Sequence, residues 1–125
     1  MIHLDTSFLI QALVRDSSQD DQLRRWLRAG ETLGASVIGW TEFLCGPLEA
    51  EASEVMARLV PHCVPFSESE ARLAARLFNT SGRRRGSLVD CMIAATAIRH
   101  GAPLATANEK DFRRFTSAGL TFAGG

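Results

Sequence analysis

The sequence has a single lysine, Lys110, and no apolar run near the roughly 18 residues that a membrane span requires. No glycine-rich stretch follows a strand-like segment, which excludes a phosphate-cradling nucleotide loop. The start, Met1-Ile2-His3-Leu4-Asp5, lacks the basic opening and apolar core of a secretion signal, so the expected location is the cytoplasm, with no membrane partner. The three cysteines, Cys45, Cys63 and Cys91, are odd in number and show no CxxC spacing. That argues against a disulfide framework or a zinc knuckle and leaves reduced, mostly buried thiols as the expectation. Fourteen basic and 14 acidic residues cancel, so no overall positive field draws nucleic acid to the chain.

What is present fits one domain over residues 1–125, long enough to bury roughly two-thirds of the surface of its unfolded chain. All the basic residues except Lys110 are arginines, bunched at Arg24-Arg25-Trp26-Leu27-Arg28 and at Arg83-Arg84-Arg85. A guanidinium grips phosphate with a two-pronged fork, so Arg83, Arg84 and Arg85 are candidate RNA contacts, beside the plainer reading of a solvated loop.

Short apolar runs alternate with helical periodicity, the pattern of an α/β domain with a mainly parallel sheet. Strands are expected at Ile2-His3-Leu4, Thr32 to Ala35, Cys63 to Phe66, Leu104-Ala105 and near Leu120 to Phe122. Helices are expected at about Thr6 to Val14, Gln19 to Ala29, Val37 to Cys45, Glu49 to Leu59, Glu68 to Phe78, Ser87 to His100 and Glu109 to Phe115. Gly30 and Gly46-Pro47 are helix stops, Ser36 a helix cap, and Ser67-x-x-Glu70 a capping box. The polar stretch from Asn79 to Gly86 reads as a loop.

Most acids sit in solvated groups. Three stand alone: Asp5 among the first 15 residues, Glu42 between Thr32 and Leu48, and Asp90 between Gly86 and Asn108. Burying an unpaired carboxylate is costly, so isolated acids in core-like segments usually have partners. Each has a plain explanation as well. Asp5 can cap the helix after the first strand, Ser87-Leu88-Val89-Asp90 can be a capping box with aspartate in its last place, and Glu42 can lie on the surface. Ligands of open parallel sheets bind beyond the carboxyl ends of the strands, where Asp5 and the Asp111 region both fall. Two carboxylates about 4 Å apart repel by about 4 kcal/mol at an effective dielectric of 20, so a cluster must be partly protonated or hold cations. A set of oxygen ligands suits magnesium or manganese better than zinc.

The segments Leu4-Asp5-Thr6-Ser7, Thr41-Glu42-Phe43-Leu44-Cys45-Gly46, Asp90-Cys91-Met92-Ile93-Ala94-Ala95-Thr96-Ala97 and Thr106-x-Asn108-x-x-Asp111-Phe112 occur in that order. Together they resemble the PIN-domain ribonucleases, specifically the VapC toxins of bacterial toxin-antitoxin pairs. The resemblance implies a three-layer α/β/α fold around a small, mainly parallel sheet. It implies that Asp5, Glu42, Asp90 and Asp111 bind one or two Mg²⁺ or Mn²⁺ ions, supported by Ser7, Thr106 and Asn108. It implies an endoribonuclease that cuts single-stranded segments of structured RNA, tRNA or rRNA, through a metal-activated water, leaving 5′-phosphate and 3′-hydroxyl ends. It further implies a homodimer, neutralised by a cognate antitoxin in a hetero-oligomer that reaches DNA only through the antitoxin. The apolar first helices, with Phe8, Leu13, Leu23, Trp26 and Leu27, offer a surface to such a partner.

A catalytically silent PIN-like binding or regulatory module is the alternative, and the intact acidic quartet argues against it. Phosphoacceptor receivers and aspartate-nucleophile phosphatases also carry an aspartate after a strand. They want a lysine at a strand end or a second aspartate two residues on, and this sequence has neither.

Overall fold

The computed structural model describes residues 1–124; of the domain expected over 1–125, Gly125 lies outside the described residues. Four short strands form one parallel sheet in the order β3-β2-β1-β4: β1 (Ile2–Leu4), β2 (Leu33–Ser36), β3 (His62–Val64) and β4 (Leu104–Ala105). Each connection between successive strands is helical, as parallel pairing requires. The helices are α1 (Thr6–Ala12), α2 (Ser18–Arg28), α3 (Val37–Cys45), α4 (Ala50–Leu59), α5 (Glu68–Thr80), α6 (Leu88–Arg99) and α7 (Glu109–Phe112). A 3₁₀ helix, Arg113–Ala118, follows.

Alternation along the strands sends neighbouring residues to opposite faces. Ile2, Leu4, Leu33, Ala35 and Ala105 pack with Phe8, Leu9, Leu23, Trp26, Phe43 and Met56 in one core. Leu104 packs with α5 and α6 residues, Phe112 and Phe115 in a second core on the other face. The result is the three-layer α/β/α arrangement expected from the sequence. Helix α6 is buried nearly all round, from Cys91 to Ala97, and its run of small residues lets α5 lie close against it.

Two local features set the frame. Gly30 ends α2 in the left-handed region (φ 76°), with the Glu31 N–H closing onto Trp26 O at 3.0 Å. Gly34 sits where a Cβ would lie 2.7 Å from Met1 Sδ and 3.0 Å from His62 O, so only glycine lets β3 and the chain start approach β2 this closely.

The strand expected near Leu120 to Phe122 does not form. Residues 113–118 coil into the 3₁₀ helix and Gly119 turns the chain back at φ 109°, leaving one parallel bridge, Leu104 to Phe122. The helix expected to reach Phe115 likewise stops at Phe112. The thiols also differ from expectation: Cys45 and Cys63 are exposed, and only Cys91 is buried. Cys45 falls on the outer side of the last turn of α3, and Cys63 on a strand at the sheet edge.

Candidate functional site

The strand order reverses at β1: β2 and β3 extend the sheet on one side, whereas β4 pairs on the other. Such a switch opens a crevice beyond the carboxyl ends of the adjacent strands β1 and β4. Asp5 follows β1 and Thr106 follows β4, so both lie at its floor. The cleft there, about 240 Å³, is lined by Asp5, Glu42, Asp90 and Asp111 together with Thr6, Ser7 and Asn108.

Asp5 is held hardest. It is 3% exposed. Its Oδ1 accepts from the Phe8 N–H, capping α1, and from Ser7 Oγ, both at 2.8 Å. Its Oδ2 accepts from Thr106 Oγ1 at 2.5 Å. The Asp5 N–H is itself tied to Ala105 O at 3.0 Å. Burial nevertheless pushes its pKa above the ordinary carboxylate value, the Thr106, Phe8 and Ser7 hydrogen bonds oppose that, and the Glu42 charge adds to it. The capping role and the cleft role therefore coexist in one side chain.

Ser7 and Thr106 form a small network around it. Their hydroxyls are 3.2 Å apart, the Ala107 N–H donates to Ser7 Oγ, and the Asn108 N–H donates to Thr106 Oγ1, each at 3.0 Å. Asn108 supports the site through this backbone bond and is itself one of the cleft-lining residues.

Glu42 stands on the exposed side of α3, whose start is capped by Ser36 Oγ accepting from the Ile38 N–H at 3.1 Å. Its Oε1 accepts from Thr6 Oγ1 at 2.7 Å. Thr6 escaped the sequence reading because a threonine in the first turn of a helix carries no distinguishing signal.

Asp90 sits in the first turn of α6. The capping-box explanation fails: the Ser87 side chain makes no cap, and Ser87 Oγ instead donates to Arg84 O at 2.7 Å. Asp90 is half-buried, and burial raises its pKa. The Arg114 guanidinium lowers it, while the charges of Asp111, Asp5 and Glu42 raise it further. Asp111 is exposed on α7, which is anchored beneath by Phe112 stacked edge-on against Phe115. Glu109, its neighbour in sequence, does not line the cleft.

The four carboxylates thus share one cleft and feel each other's charge. They do not yet close upon a point: among the described residues, no three His, Cys, Asp or Glu side chains meet at metal-binding distances. Their chemistry still fits a hard divalent cation, being all oxygen, like-charged and partly desolvated.

The three loop arginines divide. Arg83, with φ 53°, turns back on α5, donating Nη1 to Asn79 Oδ1 at 2.6 Å and lying over the Phe78 ring. Arg84 and Arg85 line a small cavity beside Asp90 and Asp111. Arg114 lines it too, and sequence reasoning missed it because nothing distinguishes it from Arg113.

A larger cavity, about 450 Å³, lies along β3 and is lined by all three histidines, His3, His62 and His100. His3 is 2% exposed and neither ring nitrogen has a hydrogen-bond partner. Its burial, with the nearby His100, lowers its pKa to about 4. It holds no carboxylate pair, so the candidate catalytic chemistry rests in the smaller cleft.

No curated protein sequence matches the chain. Solved structures do. A chain of VapBC2 from Rickettsia felis, solved bound to a promoter DNA fragment, superposes with a TM-score of 0.76 at 21% identity over 98% of both chains. One of VapBC-1 from nontypeable Haemophilus influenzae gives 0.74 at 25% identity, covering 98% of this chain and 97% of that one. One of a toxin-antitoxin complex from Klebsiella pneumoniae gives 0.72 at 23% identity over 90% and 91%. The PIN domain family model matches residues 2–117, a span that contains all four cleft carboxylates and their supporting hydroxyls. The chain belongs to the PIN domain family.

Proposed function

We propose that the protein is a metal-dependent endoribonuclease, the toxin of a toxin-antitoxin pair, that hydrolyses single-stranded segments of structured RNA. One observation carries this reading: Asp5, Glu42, Asp90 and Asp111, from four separate elements, line one cleft at the switch point of the sheet. Helix capping explains Asp5 in part, and no helix cap explains Glu42, Asp90 or Asp111. The similarity to VapBC complexes supports the toxin role.

Asp5, Glu42, Asp90 and Asp111 would hold one or two Mg²⁺ or Mn²⁺ ions, whose chemistry is to acidify a bound water and to neutralise charge on the phosphate. Asp5 is the fixed member, immobilised by Ser7, Thr106 and the α1 terminus. Glu42 and Asp111 are exposed, which leaves their side chains room to turn toward the cleft. Their charges repel the RNA backbone until neutralised, which makes the cleft an obligate cation-dependent site.

The partner reading rests on a second surface. Leu13 and Leu27, among the residues offered by the first helices, are exposed, whereas Phe8, Leu23 and Trp26 are mostly or wholly core. Leu13 and Leu27 line a groove between α1, α2 and α4 with Val55 and Leu59, of about 500 Å³, suited to the apolar face of an antitoxin helix. Homodimerisation, cytoplasmic location and access to DNA through the antitoxin belong to this same proposal; among the described residues no helix is long and apolar enough to cross a membrane.

The test is cleavage of end-labelled total bacterial RNA by the purified protein with Mg²⁺ or Mn²⁺, with EDTA, and with Asp90→Asn. Discrete, metal-dependent fragments bearing 5′-phosphates and missing with the variant are expected. Identical patterns from variant and wild type would refute the assignment.

A further inference from the structure

The carboxylate cleft does not end at Asp90 and Asp111. Both also line a smaller cavity, about 120 Å³, whose remaining wall is Arg84, Arg85, Gly86, Ser87 and Arg114. An acidic cleft and a basic one therefore share a partition.

Arg114 is the unusual member. Its side chain is 18% exposed, and its guanidinium lies 4.5 Å from the centroid of the Phe115 ring. Its Nη2 stands 4.0 Å from Asp90 Oδ2, too far for a hydrogen bond. Its Nε and Nη2 are buried with no hydrogen-bond partner. An arginine cannot shed its charge, and leaving its donors unpaired away from water costs stability. The adjacent Arg113 is exposed, as a residue serving solubility would be. Phe115, itself buried in the core, fixes the plane of the Arg114 fork, which lowers the ordering cost of binding a planar, two-oxygen partner.

We propose that Arg114 is a phosphate-binding residue: with Arg84 and Arg85 it takes a phosphodiester next to the one cut at the carboxylates. A single RNA strand then runs from Asp5 and Glu42 past Asp90 and Asp111 to the arginines. This rests on the nuclease reading above and adds the path of the strand. The contact with Asp90 holds Arg114 in place without satisfying it. Exchanging that contact for phosphate oxygens gains hydrogen bonds rather than trading them, which favours the bound strand.

The experiment is a binding titration of a labelled single-stranded RNA oligonucleotide in Ca²⁺ buffer across a range of salt, for wild type, Arg114→Gln and Arg114→Lys. Arg114→Gln should weaken binding roughly 10- to 100-fold. It should also flatten the slope of log affinity against log salt by about 0.7, the loss of one phosphate contact on a single strand. Arg114→Lys should keep the slope and still bind more weakly, because it keeps the charge and loses the fork. If Arg114→Gln fails to fold, the lysine variant decides: unchanged affinity overturns the proposal. Should wild type bind and cut RNA while Arg114→Gln shows the same affinity and slope, Arg114 is only a counter-charge to Asp90, and the nuclease reading survives. Should wild type neither bind nor cut RNA, both fall.

Discussion

Thr106 donates its hydroxyl hydrogen to Asp5 across 101 residues of chain, joining the ends of the neighbouring strands β1 and β4 at the base of the cleft. Because the acceptor is a buried carboxylate, Thr106→Val strips a charge-assisted bond and leaves the oxygen desolvated. We expect a loss of about 1 to 3 kcal/mol, read by urea unfolding, and slower RNA cleavage through a loosened Asp5. Unchanged stability would mean that Asp5 takes up an alternative partner.

Charge repulsion in the cleft predicts that Asp90→Asn raises Tm in EDTA. Its raised pKa means that the folded state disfavours the charged form, against which Arg114 at 4.0 Å is insufficient compensation. The rise should be small, because solvent screens a site this open. Asp5→Asn is a different case: a pure repulsion argument makes it stabilising as well, but it disturbs the α1 cap and two hydroxyl bonds, so its Tm should fall.

A bound cation stabilises the native state by mass action, about 2.7 kcal/mol at 100 times its dissociation constant. Mn²⁺ should therefore raise the Tm of wild type and have much less effect on Asp90→Asn, followed by thermal melting. Equal shifts in both proteins would rule out a shared carboxylate site.

Acid stability should depend on Ser67. Its hydroxyl donates to Glu70 at 2.5 Å and is the main cause of a Glu70 pKa held below the ordinary 4.5. A lowered folded-state pKa adds stability that is complete above the unfolded value and disappears as pH falls through the folded one. Ser67 makes no cap bond to the α5 backbone, contrary to the capping box expected from the sequence, so Ser67→Ala removes only the bond to Glu70. It should cost about 1 kcal/mol at neutral pH and move the midpoint of acid unfolding, followed by circular dichroism, to higher pH.

Thiol labelling offers a direct check of packing. Cys45 and Cys63 are exposed, while Cys91 is buried and its thiol pKa is raised by that burial. The native protein should titrate two thiols promptly with a disulfide reagent and three after denaturation. Three prompt thiols would place α6 outside the core.

Much of this architecture was readable from one chain. The α3 boundaries, the parallel α/β alternation and the lone acids followed from periodicity and from the cost of burying charge, both local properties. Whether Asp90 belongs to a cap is a choice between two local hydrogen bonds that sequence leaves equal, and the Ser87 hydroxyl bonds to Arg84 O instead. Arg114 and Thr6 were invisible because their importance comes from neighbours distant in sequence. Cys45 and Cys63 are exposed against expectation because thiol burial follows the facing of a helix turn and the edge of a sheet, and neither is a property of cysteine.

The tie between Asp5 and Thr106 also has a temporal meaning. At about 5 to 20 residues per second of synthesis, the aspartate leaves the ribosome roughly 5 to 20 s before its threonine. Through that interval β1 has no β4 beside it, and Asp111, the last of the four acids, has not been made. A nascent or prematurely ended chain thus carries an incomplete cleft: the four carboxylates are all present only once residue 111 has been added.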